Sequence, residues 1–286
     1  MSILHNILAS TYLPWKTYNA LGKALRFKKN SELRVLLYHD IPIQEQSLFR
    51  SQLVRISKDW NFVSPEIFSL MIKGKREIVG RNILLTFDDG YLSNRRVAEE
   101  VLKPLGIQAL FFIIADFVDV QNEKERKIFI SQNVYPNFSP EQVPDSWIPM
   151  NWGDLKSLLY DGHFIGSHTR THARLSKILD PIRLNDEIAV SKRILEEKLK
   201  VKIHHFAYTF GDLASFSPEA LRIAKSHYEF VYTGLRGDNR NSPPWSIRRD
   251  AISPLDSHFL TGALLEGGAD LLYRKKNQIY ESWGRY

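Results

Sequence analysis

The 286-residue chain contains no cysteine. Disulfides, thiolate metal sites and a cysteine nucleophile are therefore excluded, and a reducing compartment is permitted. It also lacks any stretch approaching the ~18 uncharged apolar residues that a membrane-crossing helix requires. Met1-Ser2-Ile3-Leu4-His5-Asn6 has neither the basic n-region nor the unbroken apolar h-region of a secretory signal, so a cytoplasmic protein is expected. There is no internal repeat, no low-complexity tract, and no zinc-finger, RNA-binding or helix-turn-helix signature. The formal charge of +7 and pI near 9.4 are thus not read as nucleic-acid binding. They favour other acidic partners (phosphorylated sugars, anionic glycans, the inner membrane surface) or simply solubility. What is present is ordinary for a globular protein: 43% hydrophobic and 25% charged residues. The length suffices for one large α/β domain or two small ones.

Residues 1–30 scatter Ile3, Leu4, Ile7, Leu8, Tyr12, Leu13, Trp15, Tyr18, Leu21 and Leu25 before Lys23, Arg26, Lys28 and Lys29 close the segment. Two readings follow: an amphipathic helix pair packed on the domain, or a segment lying on a membrane surface and associating peripherally with it. From Leu33 onward strand-like and helix-like stretches alternate. Strands are expected at Arg34–Tyr38, Ile83–Phe87, Gln108–Ala115, Lys202–Tyr208 and Phe230–Thr233. Helices are expected at Leu48–Trp60, Leu92–Leu105, Trp152–Tyr160, after Asp180-Pro181 with Ile182, Ile188, Ile194 and Leu195 on the buried face, and after Ser217-Pro218. Repeated β-then-α predicts a parallel sheet, closed as a barrel or doubly wound, with function at the strand C-terminal ends. Residues 118–147 break the rhythm as a long inserted loop of the kind used for lids and binding elements. Residues 236–246 read as an irregular surface segment.

Two motifs stand at such strand ends. Thr86-Phe87-Asp88-Asp89-Gly90 follows the apolar run Asn82-Ile83-Leu84-Leu85. Side chains of adjacent residues diverge along a strand, so the two carboxylates can serve different tasks, one holding a metal while the other acts as a base. By itself the string is equally a turn signal. His168-Thr169-Arg170-Thr171-His172 follows Phe164-Ile165-Gly166-Ser167 and sets two imidazoles four residues apart. One or two carboxylates with two histidines form the ligand set of a divalent-metal site with open positions; helix-face histidines satisfied by neighbours are the plainer alternative.

Together these strings resemble the first two motifs, TFDDG and GSHTxxH, of the polysaccharide deacetylase family, also called the NodB-homology or carbohydrate esterase 4 family. The likeness runs over roughly residues 33–250. It implies a single-domain, deformed (β/α)7-type barrel over residues 31–255, with 1–30 as a helical N-terminal segment and 256–286 as a tail packed on the barrel. It also implies a mononuclear metal site held by Asp89, His168 and His172, with Asp88 as the general base toward a water on the ion. Zinc is the first metal expected, with cobalt, nickel or iron as substitutes. The family's general acid is a histidine in a His-Asp string, which here lies at the opposite end of the chain, in Val35-Leu36-Leu37-Tyr38-His39-Asp40. That placement resembles the circularly permuted subgroup and nominates His39; Asp40 either orients the imidazole or caps a helix. The third motif resembles Phe206-Ala207-Tyr208-Thr209-Phe210-Gly211, with Thr209 and Phe210 in place of proline and tyrosine. It implies the backbone N–H of Phe210 as oxyanion donor. The motif's base-orienting arginine has no counterpart at Ala207. Arg248 or Arg249, in Trp245-Ser246-Ile247-Arg248-Arg249-Asp250, could supply it, and Arg249 is chosen; a surface arginine is the alternative. His204 and His205 read as core or flank residues.

The resemblance therefore implies a metal-dependent hydrolase that removes an N-acyl group, foremost N-acetyl, from an amino sugar. The absence of an export signal and the basic balance favour a nucleotide- or lipid-phosphate-linked intermediate, or an oligosaccharide, of surface glycan synthesis. The rival expectations are a deacetylase of finished extracellular polysaccharide and a catalytically silent glycan-binding relative.

Overall fold

The computed structural model describes residues 3–24 and 31–285. Eight strands carry its framework: β1 (Glu32–Tyr38), β2 (Asn61–Phe62), β3 (Arg81–Phe87), β4 (Ala109–Ile113), β5 (Phe164–Ser167), β6 (His205–Ala207), β7 (Phe230–Tyr232) and β8 (Asp250–Ala251). All neighbours are parallel, in the order β7-β6-β5-β4-β3-β1-β8. The short β2 pairs with the start of β3 (Asn61 opposite Asn82), while β4 pairs with its end (Leu85 opposite Ala109). The chain just before β8 closes the remaining gap. Val231 N–H donates to Pro244 O (2.9 Å), Ile247 N–H to Val231 O (2.9 Å) and Thr233 N–H to Ile247 O (2.8 Å), so residues 244–251 run from the side of β7 to the side of β1. The result is a deformed barrel of parallel strands with helices outside.

Strand alternation sorts its residues. Leu33, Val35, Leu84, Leu110, Phe112, Ala207, Phe230, Tyr232 and Ile247 share one buried cluster inside the barrel; Leu36, Tyr38, Ile83, Leu85, Phe87, Phe111 and Ile113 belong to the cluster that meets the helices. A parallel strand covered on both faces must be apolar at nearly every position, which is why β1 and β3 are buried at six of seven residues each. Continued past the strand ends, the inward parity runs through Leu37 and His39, through Thr86 and Asp88, through Gly166 and His168, and through Ile247, Arg249 and Ala251. The apolar filling gives way to these residues at the C-terminal rim.

Several elements depart from expectation. The strand predicted over Lys202–Tyr208 is confined to His205–Ala207, because Ile203 N–H donates to the Glu196 carboxylate (3.0 Å) and not to a neighbouring strand. The helix from Leu92 is α-helical only to Val97; a widened turn (Ala98–Leu102) and a tight one (Lys103–Leu105) complete it before Gly106 ends it at φ 66°. Ile182 is 81% exposed, because the first turn after the Asp180 cap turns outward and Leu184 is buried in its place, while Ile188 and Leu195 are buried as expected. Residues 118–147 are not a bare loop. They hold a helix (Glu123–Phe129) continued by a widened turn (Ile130–Val134), and Ile130, Val134 and Val143 pack with Tyr91, Ile114 and Phe117. Nor is 236–246 a surface segment: Asn239 is buried, its N–H donates to Leu33 O (2.8 Å), and Asp238 Oδ1 accepts from Leu33 N–H (2.9 Å).

At the N-terminus the helices Ile3–Ser10 and Tyr12–Ala24 lie against the helix His258–Leu265. Tyr12 packs edge-on to His258 (5.6 Å), and Gly262 makes room for it: a Cβ there would stand 2.4 Å from the Tyr12 ring. Trp15 Nε1 and Asn19 Nδ2 both donate to Glu266 O. The basic close of this segment (Leu25, Arg26, Lys28, Lys29) lies outside the described residues, as does the side chain of Lys23. No helix among the described residues is long and apolar enough to cross a membrane.

Candidate metal centre

Segments at the rim build one cleft of about 200 Å³, lined among others by His39, Asp88, Asp89, Tyr135, His168, His172, Phe210 and Arg249. Each arrives by a specific backbone device. Asp88 N–H donates to Tyr38 O (2.9 Å) and His168 N–H to Ile113 O (2.8 Å), which carries the β1–β3 and β4–β5 pairings one step further. The chain then turns sharply. Asp89 (φ 73°), Thr169 (63°), His172 (66°) and Phe210 (62°) hold the left-handed conformation without being glycine, and Lys200 is the one other such residue among those described. Such conformations cost on the order of 1–3 kcal/mol each and persist where the surroundings over-determine them. For the histidine loop, buried Glu187 does so: its carboxylate accepts from Arg170 N–H (3.1 Å), Thr171 N–H (2.9 Å) and Thr171 Oγ1 (2.6 Å). His168 and His172 therefore converge through a clamped loop, not along a helix face.

Both imidazoles have their tautomer fixed. His168 Nδ1 lies 2.9 Å from Ala207 O and His172 Nδ1 3.0 Å from Asn133 O; a carbonyl only accepts, so both Nδ1 atoms carry the proton. Each Nε2 lone pair then faces Asp89 Oδ1 at 3.5 Å. Asp89 is 2% exposed, and Oδ1 has no hydrogen-bond partner among the described residues. Three acceptor atoms, all within 4.8 Å of one another, meet with no donor between them. Ligands ~2.0–2.1 Å from a tetrahedral ion stand about 3.3–3.4 Å apart, so this spacing fits a divalent cation. Burial lowers His168 to about 4 and His172 to about 3, leaving neutral rings ready to ligate. Burial and the charge of Asp88 push the Asp89 carboxyl well above the usual range, a bias that a cation at this point reverses.

Asp88 has different company. Arg249, fully buried, grips it with both guanidinium nitrogens (Nη1 to Oδ1 2.6 Å, Nη2 to Oδ2 2.9 Å) while its Nε donates to Thr233 O (2.9 Å). Burial alone raises the Asp88 carboxyl; Arg249 and then His168 outweigh it and hold the group below the ordinary value. Arg248, the other candidate, turns away to Glu281 (2.7 Å). His39 is an exposed residue that lines the cleft and has no hydrogen-bond partner among the described residues. Its pKa is lowered, by desolvation first, with Asp88 opposing and Arg249 assisting. Phe210 packs edge-on to His172 (4.8 Å) under the Arg174 guanidinium (4.1 Å). Thr209 O is taken by Gly211 N–H (2.7 Å), and no partner for Phe210 N–H is found among the described residues. His205 is buried against Tyr232 (Nδ1 to OH 3.0 Å), away from the cleft, and His204 pairs with Glu229.

Asp40 neither orients His39 nor caps a helix. Its carboxylate accepts from Ser93 Oγ and from Trp147 Nε1 (3.0 Å), tying residues 118–147 to the rim. The sequence reading had no means of finding Tyr135, Glu187 or the carbonyls of Ala207 and Asn133. Main-chain acceptors leave no mark in a sequence, and Glu187 is one acidic residue among many on a helix.

A barrel of parallel strands with two histidines and one aspartate that could hold a cation, beside an arginine-paired carboxylate, defines an α/β protein with a candidate metal site. Residues 75–228, more than half of the chain, match the family model described as polysaccharide deacetylase, and the chain belongs to that family, whose members are carbohydrate deacetylases. His39 and Arg249 lie outside the matched stretch, on chain segments that pair with each other (Leu36 opposite Asp250, Leu37 opposite Ala251). The chain is similar to the Bacillus subtilis (strain 168) protein YxkH, named for polysaccharide deacetylase activity, at 24% identity over 85% of this chain and 79% of that one. Its fold is similar to that of IcaB from Ammonifex degensii (TM-score 0.65, 25% identity, 83% of this chain and 98% of the other). It also resembles a de-N-acetylase from Aggregatibacter actinomycetemcomitans (TM-score 0.64, 16% identity, 82% and 99%), which speaks to fold alone.

Proposed function

We propose that this protein hydrolyses the N-acetyl group of an amino sugar at the cation site formed by Asp89, His168 and His172. One observation carries the reading: three buried acceptor atoms converge without a donor directly beside a carboxylate held ionised by Arg249. Asp89, His168 and His172 would hold a divalent ion, zinc by the borderline-soft nitrogen-rich donor set, which when bound would supply an acidified water and polarisation of the amide carbonyl. The chain's own groups do the rest. Asp88 takes the proton from the attacking water as its oxygen bonds to the carbonyl carbon. Phe210 N–H donates to the oxygen on which negative charge develops. His39, reachable from solvent, gives a proton to the nitrogen as the C–N bond breaks, so that acetate and the free amine leave. Arg249 keeps Asp88 anionic and aimed, at the expense of basicity, which suits a base working on an already acidified water.

The test is Asp88→Asn in the zinc-loaded chain, assayed for acetate release from N-acetylglucosamine oligomers with metal content measured in parallel. Turnover should fall by roughly 10²- to 10⁴-fold while zinc stays bound. Near-normal acetate release would sink the role. The net charge of +7 favours a phosphate-bearing substrate, such as a nucleotide- or lipid-phosphate-linked amino sugar, which competition by inorganic phosphate would reveal. On the helix Tyr12–Ala24, Leu13 (60%) and Leu21 (58%) are exposed where a solvated helix carries charge, which supports peripheral contact with a lipid surface. Co-flotation with anionic vesicles checks it; a chain left wholly in the lower fraction refutes it.

A further inference from the structure

One wall of the cleft comes from residues 118–147, through Val134 and Tyr135. This wall is fixed from two sides. Tyr135 stacks on Trp147 (centroids 4.6 Å, 29°) and on Phe138 (5.4 Å, 30°), and Trp147 is held in turn by the Asp40 carboxylate. In the backbone, Tyr135 N–H donates to Ile130 O (2.8 Å), and Asn133, two residues earlier, receives His172 Nδ1. The ring is thus positioned by the same segment that orients a metal ligand.

A tyrosine serving only as core would be enclosed and its hydroxyl satisfied. Tyr135 is half-buried, lines the cleft, and has no hydrogen-bond partner for its hydroxyl among the described residues. The indole N–H of the stack is satisfied, so the phenol is its one polar group left over. A phenol is protonated throughout the neutral range, so its hydroxyl is available as a donor. A cleft-lining phenol without a partner among the described residues is placed to meet an oxygen acceptor that a ligand brings.

We propose that Tyr135 is a specificity-determining residue that contacts the amino sugar, its ring forming a rigid wall for the pyranose and its hydroxyl donating to a substrate oxygen. The ring's C–H faces are apolar and its hydroxyls polar, so a sugar lying in the cleft matches an aromatic face carrying a phenol at its edge. A flat, preorganised ring loses little freedom on binding, which is the advantage of fixing it through Trp147. The assignment rests on the amino-sugar reading of the site, and its test separates the two.

Tyr135→Phe and Tyr135→Ala are compared with the wild type, all zinc-loaded, for acetate release from N-acetylglucosamine oligomers and for calorimetric binding of the same oligomers. Zinc content and melting temperature are measured alongside. Tyr135→Phe should raise KM about three- to tenfold, the worth of one hydrogen bond, with kcat, zinc content and melting temperature close to wild type. Tyr135→Ala should raise KM by more than roughly tenfold and weaken calorimetric binding in step. Unchanged KM in both variants, beside a wild type that turns over, overturns the assignment and leaves the hydrolase reading standing. A fall in kcat and melting temperature with KM unchanged marks a merely structural ring and likewise overturns it. A wild type that binds the oligomers without releasing acetate, while Tyr135→Ala binds them more weakly, supports the assignment and overturns the hydrolase reading.

Discussion

At the residue scale the site is a set of unmet demands. Asp89 Oδ1 and two Nε2 lone pairs face one another in a buried space, an arrangement that costs stability until a cation enters. Asp89→Asn brings a permanent amide donor to the lone pairs, where the carboxyl, raised by burial and Asp88, offers a proton only while it is protonated. The metal-free variant should therefore melt a few degrees above the metal-free wild type, on the order of 1 kcal/mol, yet show no upward shift on adding zinc. Thermal melts with chelator and with zinc check both halves; a metal-free variant that melts lower refutes the donorless reading of the site. Arg249 poses the complementary case. Arg249→Ala leaves Asp88 charged, buried and unpaired, at a cost of about 3–5 kcal/mol. The double variant Asp88→Asn/Arg249→Met should recover much of that stability and none of the activity. Stability and turnover measured around that cycle would show a structural role alone if activity returned with stability. The convergence of Asp89, His168 and His172 was legible because they sit in short contiguous strings. Arg249 meets Asp88 across 161 positions of chain, and only a fragment of neighbouring pattern hinted at it.

At the element scale, local signals served where an element carries its own boundary marks. The helix Trp152–Tyr160 has the predicted limits because Asn151 and Asp154 cap each other's backbone N–H groups within four residues. Residues 118–147 have no such independence. Their buried positions meet Tyr91, Ile114 and Phe117, so the apolar spacing follows a distant surface instead of a helical period. The same dependence makes Asp40 a latch. Asp40→Ala removes the acceptor for Ser93 Oγ and Trp147 Nε1 together, freeing the aromatic wall and, through Asn133, loosening His172. The expected signature is a red-shifted tryptophan emission, earlier proteolysis within 118–147 and KM raised roughly tenfold. Asp40→Asn, which retains one acceptor oxygen, should lie between. Unaltered emission and KM in Asp40→Ala would mean that the segment holds its place by apolar packing alone.

At the scale of the whole molecule, the alternation of strands and helices pointed to a parallel sheet but left barrel and open sheet undecided. The deciding piece is the stretch 244–251, which closes the ring without an apolar run of its own. The sheet buries two further histidines that no catalytic step uses, one on each face. His163 Nδ1 accepts from Ala109 N–H (3.1 Å) under the edge of Phe111, and His205 lies against Phe230 and Tyr232. Burial, opposed by Asp161 and aided by Arg95 and Lys103, takes His163 to about 4; burial and then His204 take His205 to about 3. Unfolded, both titrate near 6.5. Between these values the unfolded chain binds protons that the folded chain refuses. Stability is thus undiminished by these groups above about pH 6.5 and declines as pH falls toward 4 and then 3. His163→Asn keeps an acceptor for Ala109 N–H but cannot take up a proton. Its denaturant-derived stability, followed from pH 6.5 to 4.5 in chelator, should fall less steeply than wild type by about 1 kcal/mol per pH unit. Parallel lines for the two proteins would show that His163 is protonated in the folded state, and that the space between β4 and the end of the helix Trp152–Tyr160 admits water.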